Sequence, residues 1–415
     1  MDHIVALHLP AVRSLNESGL AAFSAHYLDH LAGRRYAPAT AQAYLRCVAH
    51  FARWLTRSRL SLDRIDERSV RRFLDEHLPR CACSAPVRRQ RHELRAALKQ
   101  LLRVLATHGA LVSREELSPV EEELRRFDEH MRGVRGLALN TREQRVRIVR
   151  GFLTGLFGDR LLLIPDIQPV AVRRFVMQRL QRWSAASCNV LAGALRGYLR
   201  YRGSCGDQVR TLLGAIPSAA HWRLAQLPEV LTESQLERVL DSFTPGMPSP
   251  RRAHAMVRCV VDLGLRASEV VRLGLDDIDW HAGTIRLARN KSRRTDVLPL
   301  AAATGHAIAQ YLQFERPATT NRAVFVRHVA PRDVPIRAGV VRQALRDAFR
   351  RCGIAQTKVH VLRHTLASRL LERGSPLKEI ADVLRHRALD TSLVYTKLDM
   401  KRLAAVALPW PGSAS

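Results

Sequence analysis

The sequence predicts a mostly α-helical protein: tandem helical units followed by an α+β C-terminal domain with a small sheet. Three observations carry this reading. Apolar residues recur at spacings of three and four through most of the first half, as one buried helix face requires. One order of segments occurs twice, about 100 residues apart, a domain-scale repeat rather than a solenoid period. Short alternating runs that suit strands are confined to the second half. At 415 residues the chain has room for several domains and an ordinary core.

The first unit begins its main helix after Tyr36-Ala37-Pro38-Ala39-Thr40, with Thr40 as the expected N-cap. Tyr44, Leu45, Val48, Phe51, Trp54 and Leu55 then fall on one face. A short acidic loop at Leu62-Asp63-Arg64-Ile65-Asp66 leads to a helix bearing Val70, Phe73 and Leu74. A longer helix runs from Arg88 to His108 and ends at Gly109. The second unit repeats these events. Leu139-Asn140-Thr141 opens a run through Val146, Val149 and Phe152. Ile164-Pro165-Asp166-Ile167 supplies the loop, and Val172, Phe175, Val176 and Leu180 mark the next helix. Ser184 leads into Leu191, Leu195, Tyr198 and Leu199. A linker occupies 214–229, and Thr232 caps the first helix of the last domain. Thr284–Leu287 and Asp296–Leu300 are strands flanking a turn that carries Lys291, and 323–326 reads as a further strand. A helix over 340–352 is closed by Gly353. The expected domains are 18–112, 117–210 and 229–409.

Subtracting 38 acidic from 67 basic residues gives a net charge of +29, spread along the chain among apolar positions. Such a pattern reads as helices with one oily and one basic face, and it attracts a polyanion. Nucleic acid is the favoured partner, since many Arg–phosphate contacts release counterions. The seven cysteines are scattered and odd in number, which suits a reducing compartment. Cys81-Ala82-Cys83 with nearby His92 invites a zinc reading. The C-x-C pair lacks a second pair at finger-like spacing, so ordinary thiols and no metal are expected. No basic-then-apolar leader and no membrane-length apolar run is present, so the expected location is the cytoplasm, without a membrane partner.

The chemistry concentrates near the C-terminus. Arg266 comes directly after an apolar run in Leu263-Gly264-Leu265-Arg266, and Lys291 sits in Arg289-Asn290-Lys291-Ser292-Arg293. His360-Val361-Leu362-Arg363-His364 precedes Leu384-Arg385-His386, and Tyr395 comes nine residues after His386. Two arginines, two histidines, a lysine and a tyrosine suit attack on a phosphodiester without a metal. Charge gathers on the nonbridging oxygens while an alkoxide departs, so the site needs fixed cations, a nucleophile and an acid. Arginine suits the first task because its planar fork donates to two oxygens and stays protonated. His360 and Arg363, three apart, share one face of a helix start whose free amides favour phosphate.

In order and wording these segments resemble the tyrosine recombinase (phage integrase, Xer-type) family. The resemblance covers 229–408 well and the helical units loosely, each of which looks like the SAM-like core-binding domain of that family. It implies that Arg266 and Arg363 clamp the scissile phosphate, with Glu269 orienting Arg266. His360 would assist proton removal or hold the phosphate, and His386 would hydrogen bond to it. Lys291 would protonate the departing 5′ oxygen, and Tyr395 would be the nucleophile. His364 reads as packed or structural. The family most often has Leu-Gly-His where this chain has Leu384-Arg385-His386, and Gly-Lys-Gly where it has Asn290-Lys291-Ser292. The implied activity is site-specific recombination of double-stranded DNA, typical of mobile elements. It would proceed through a 3′-phosphotyrosyl intermediate with no cofactor, metal or nucleotide. The implied assembly is a homotetramer on two sites, in some cases with sister recombinases, with Leu403, Val406, Leu408 and Trp410 in a tail that docks on a neighbour. The same tyrosine chemistry would also serve a type IB topoisomerase. An inactive accessory DNA-binding protein would keep the fold without the reaction.

Overall fold

The computed structural model describes residues 7–84, 87–111, 118–158, 160–218, 228–287, 295–355 and 358–386, together with Tyr395. The chain forms two compact units: Met1–Val112 with Gln226–Ser415, and Ser113–Ala225.

The N-terminal helices are α1 (Leu9–Glu17), α2 (Ser24–Gly33), α3 (Pro38–Arg57), α4 (Glu67–Arg72) and α5 (Arg91–Thr107). Leu45, Val48, Phe51 and Leu55 of α3 and Leu94, Leu98, Leu101 and Leu105 of α5 lie in one buried cluster. Helix α3 starts earlier than its expected cap. Ala37 is the N-cap, and Pro38 takes the first helical position, where its missing N–H costs nothing. Thr40 therefore lies inside the first turn. Asp66 and Ser69 form a reciprocal cap on α4. Beyond α4 the backbone passes through a π-helical turn, Phe73–His77, and a 3-10 turn, Leu78–Arg80.

The unit Ser113–Ala225 contains α6 (Pro119–Gly133), α7 (Leu139–Phe157), α8 (Pro169–Leu180), α9 (Ala185–Ser204) and α10 (Arg210–Gly214). Its order of helix, long helix, 3-10 turn, helix and long helix parallels α2 through α5. The repeat visible in the sequence starts at α3 and at α7; α2 and α6 precede it. Phe127, Phe152, Leu195 and Tyr198 fill the core. Inside it the Tyr198 hydroxyl donates to Glu123 at 3.1 Å, and Arg202 pairs with the same carboxylate. The buried acid is thus doubly satisfied.

The last domain comprises α11 (Glu233–Asp241), α12 (Pro250–Val261), α13 (Ala267–Val270), the strands β1 (Ile278–Asp279), β2 (Thr284–Leu287) and β3 (Asp296–Pro299), and helices α14 (Ala302–Phe314), α15 (Ala338–Arg351), α16 (Val361–Glu372) and α17 (Leu377–Val383). The sheet is antiparallel in the order β1-β2-β3, with Ile285 opposite both Ile278 and Leu298. Thr232 caps α11 and makes a capping box with Gln235. The run at 323–326 is buried but is not a strand. It makes only isolated bridges, Gly274 to Ala323 and Val326 to Pro335, and Val324 N–H donates to the Leu273 carbonyl. Its apolar run marked its burial; its hydrogen bonds go to loops. No helix among the described residues is long and apolar enough to cross a membrane.

Phe127 is fully buried against Tyr198, so Phe127→Ala should destabilise the Ser113–Ala225 unit by about 3–5 kcal/mol. Urea unfolding monitored by far-ultraviolet circular dichroism measures this as a shifted early transition.

Candidate active site

The site is built at the junctions of short elements. Helix α12 ends before Gly264, whose φ of +57° only glycine adopts without strain. A Cβ there would also lie 2.9 Å from the Leu366 and Leu384 side chains, which would have to shift to admit it. This lets the Gly264 carbonyl serve as a shared acceptor. Arg363 Nη1 donates to it, and so does Arg385 Nη2 at 3.0 Å. Arg363 Nη2 donates to the Leu384 carbonyl at 2.7 Å, which ties α16 to the end of α17.

Arg266 is the N-cap of α13, between α12 and α13 as its sequence context required. Its backbone N–H donates to Glu269 Oε2 and its Nη1 to Glu269 Oε1, both at 2.7 Å. Its Nη2 donates to the Arg385 carbonyl at 3.2 Å. Glu269 is therefore the orienting carboxylate, and it is shared: Arg385 Nη2 reaches Oε2 at 3.0 Å. Burial pushes the Glu269 carboxyl up, but the guanidinia of Arg385 and Arg266 outweigh it and hold it below the ordinary range.

Arg385 is the residue that sequence reasoning did not enlist. It stands where the resembled family most often has glycine, and it adopts the backbone glycine would, with φ +53°. Its side chain folds inward, is only 7% exposed, and joins the Glu269 pair. The departure from glycine was the available signal. Arg266 and Arg385 thus pair with one carboxylate, while the guanidinium of Arg363 beside them donates to the Gly264 and Leu384 carbonyls, so positive charge is in excess here. The consequence shows at Arg363, whose pKa falls to about 9 through burial and the neighbouring charges of Arg266 and Arg385. A buried cation so disfavoured is stabilised by any anion that enters.

Histidines line the same pocket. His360 immediately precedes α16; burial, then Arg363, Arg266 and Arg342, lower its pKa. His386 lies just past α17 and its pKa is lowered to about 4, by burial first and then by Arg363 and Arg266. Tyr395 is 2% exposed and packs with Ala367, Leu371, Ile380 and Leu384. Its ring is stacked on His386, with centroids 6.3 Å apart and planes at 12°. Its hydroxyl lies 3.0 Å from His364 Nδ1. His364, read from sequence as structural, is thus the side chain that touches the phenol. Burial and the neighbouring His360 and Arg363 keep its imidazole neutral to lower pH than usual. Burial raises the pKa of Tyr395, and Arg363 opposes that rise.

Arg266, Arg363, His360, His386 and Tyr395 are therefore gathered around one cationic pocket. Lys291 and the apolar tail 403–410 lie outside the described residues.

Comparison with known proteins places the fold described above in a family. The Phage integrase family model matches residues 229–402, and that for the phage integrase N-terminal SAM-like domain matches 25–109. The chain is 34% identical over 404 residues to y4rA of Sinorhizobium fredii, described as an integrase/recombinase, covering 96% of each. It is 30% identical over 296 residues to tyrosine recombinase XerC of Stutzerimonas stutzeri, covering 69% of this chain and 95% of that one. Two solved structures share the fold. The XerH site-specific recombinase bound to its palindromic substrate has a TM-score of 0.52 at 18% identity, over 88% of this chain and 95% of that one. A lambda integrase dimer on a core site has a TM-score of 0.53 at 14% identity, over 71% and 99%. The helical N-terminal part, the small-sheet C-terminal domain and the extent of these relatives agree: this chain belongs to the phage integrase family of tyrosine recombinases.

Proposed function

We propose that this recombinase cuts and rejoins duplex DNA at specific sites, with Tyr395 as nucleophile. The observation that carries the reading is the excess of buried guanidinium charge beside the tyrosine hydroxyl. The scissile phosphate enters this pocket, and Arg266 and Arg363 bind its nonbridging oxygens. His386 and His360 donate further hydrogen bonds. His364, neutral and 3.0 Å from the phenol, accepts its proton. The Tyr395 oxygen bonds to phosphorus as the bond to the 5′ oxygen breaks, giving a 3′-phosphotyrosyl link. Lys291 supplies the proton that the departing 5′ oxygen needs. The freed 5′ hydroxyl of a partner duplex then attacks the link and releases Tyr395. The bond energy is conserved in the ester, so neither nucleotide nor divalent metal enters the reaction. Arg385 acts through Glu269 as a positioning residue for Arg266.

The two helical units serve as DNA-binding domains that lengthen the contact on each half-site, and four protomers hold two sites together. Relatives named as recombinases and integrases favour exchange between duplexes over relaxation of one. The net charge of +29 supports a strongly salt-dependent grip on the backbone.

Nicked suicide duplexes drawn from the surrounding genomic sequence should trap a covalent complex in which Tyr395 carries the DNA. Tyr395→Phe should abolish this adduct while leaving DNA binding intact; an adduct on the Phe variant would refute the assignment. Arg363→Ala should slow adduct formation on the order of 10²-fold or more, read by gel under single-turnover conditions. A His364→Ala variant should show slowed adduct formation with unchanged binding.

Acid should weaken the free protein in a defined direction. His386 has a folded pKa of about 4, below its ordinary value of 6.5. The unfolded chain therefore takes the proton first, so stability is complete above about pH 6.5 and declines toward pH 4. Thermal melts across this window should show a smaller acid loss for His386→Asn than for the unsubstituted chain.

A further inference from the structure

We infer that the N-terminal helical domain holds a structural zinc ion on His50, His77, Cys81 and Cys83. The four donor atoms lie within 4.8 Å of one another, although the residues come from three separate elements. His50 projects from the middle of α3, His77 closes the π-helical turn, and the two cysteines lie just past the 3-10 turn. His50 Nε2 is 3.3 Å from Cys81 Sγ, and His77 Nε2 is 3.7 Å from Cys83 Sγ. A tetrahedral zinc with ordinary bonds to sulfur and nitrogen sets these donors about 3.5 Å apart. The observed pairs bracket that edge.

The surroundings suit a ligand set better than a set of idle thiols. His50 is 1% exposed, and its Nδ1 lies 2.8 Å from the Arg88 carbonyl. A carbonyl only accepts, so Nδ1 carries the hydrogen and Nε2 presents its lone pair toward Cys81. Metal-binding histidines are commonly oriented by this kind of outer hydrogen bond. Phe73 walls the cluster, edge-on to His50 and stacked on His77. Arg57 Nη1 reaches Cys83 Sγ at 3.5 Å. Cys83 itself is buried, and Arg89 Nη2 fixes its carbonyl at 2.9 Å.

The π-helical turn gives a physical reason for the spacing. A π turn inserts one extra residue into the helix and rotates the residues beyond it, and such turns cluster at functional positions. Here it delivers His77 to the face occupied by His50. C-x-C therefore finds its second pair through the fold, at distances in sequence that no finger pattern contains. Four protein ligands leave no open position, so the ion is structural and takes no part in strand cleavage. It fastens irregular backbone after residue 80 to α3, as structural zinc does where a segment lacks regular hydrogen bonding.

The test uses the full-length protein. Loaded with zinc and dialysed, it should retain one zinc ion per chain by elemental analysis. Cobalt substitution should give the strong thiolate charge-transfer absorption and d–d bands of a tetrahedral site. Zinc should shield Cys81 and Cys83, and not the exposed Cys205, from alkylation mapped by mass spectrometry, with a chelator removing the protection. Cys81→Ser and Cys83→Ser should each lose the ion, while His92→Ala should keep it. A full-length protein that binds no stoichiometric zinc, a weak octahedral cobalt spectrum, or zinc retained by the doubly substituted Cys81→Ser/Cys83→Ser chain would each overturn the assignment. The cobalt and alkylation readouts need no variant, so they decide the matter even if the substituted chains fail to fold.

Discussion

A single buried carboxylate organises the C-terminal domain. Glu269 is 6% exposed and binds two guanidinia, one from its own helix start and one from beyond α17. A lone buried carboxylate would be strongly unfavourable, and so would the arginines without it. The pairing settles both, but it is unequal: Arg266 and Arg385 share one negative charge, and Arg363 beside them donates to backbone carbonyls instead. Backbone carbonyls of Gly264, Leu384, Arg385 and Val383 accept further donors without cancelling the charge, and Arg385 Nε stays buried with no partner among the described residues. The result is a buried cluster in which positive charge outweighs negative, felt most at Arg363.

Secondary structure is what makes that pocket possible. Each cationic side chain comes from a place where regular hydrogen bonding stops: Arg266 before a one-turn helix, Arg385 after α17, Arg363 in the first turn of α16. Interruptions expose carbonyls that can hold guanidinia and free amides that suit phosphate. The larger apolar core, from Val257 and Val260 to Leu345 and Phe349, fixes these ends in space. Tyr395 belongs to a smaller cluster with Leu384 and Ile380, so the phenol is seated by packing and aimed by His364.

Much of this was legible in the sequence because it rests on periodicity and on residue types with few alternatives. The helices and the strands flanking Lys291 come out of apolar spacing, and the order of Arg266, His360, Arg363, His386 and Tyr395 marks the chemistry. The illegible part depends on tertiary geometry. Thr40 has the makings of a cap because threonine caps helices well, yet Pro38 starts the helix first. The segment 323–326 is a short apolar run like a strand but pairs with loops. His364 sits one residue from Arg363, and only the packing of Tyr395 decides which of the two touches the phenol. Arg385 reads as a departure from glycine; its inward turn needs a left-handed backbone that no pattern announces. The partners of Cys81 and Cys83 are hidden for the same reason, since a π-helical turn shifts the register after Phe73.

The hydrogen bond from Arg266 to the Arg385 carbonyl joins residues 119 positions apart. No shorter stretch of the polypeptide contains both walls of the pocket. A nascent chain on the ribosome, or a proteolytic fragment ending before α17, therefore carries some of the right side chains without the arrangement that uses them. For a recombinase, the two walls therefore meet only once α17 and the residues just after it have been made, a delay that arises from topology alone.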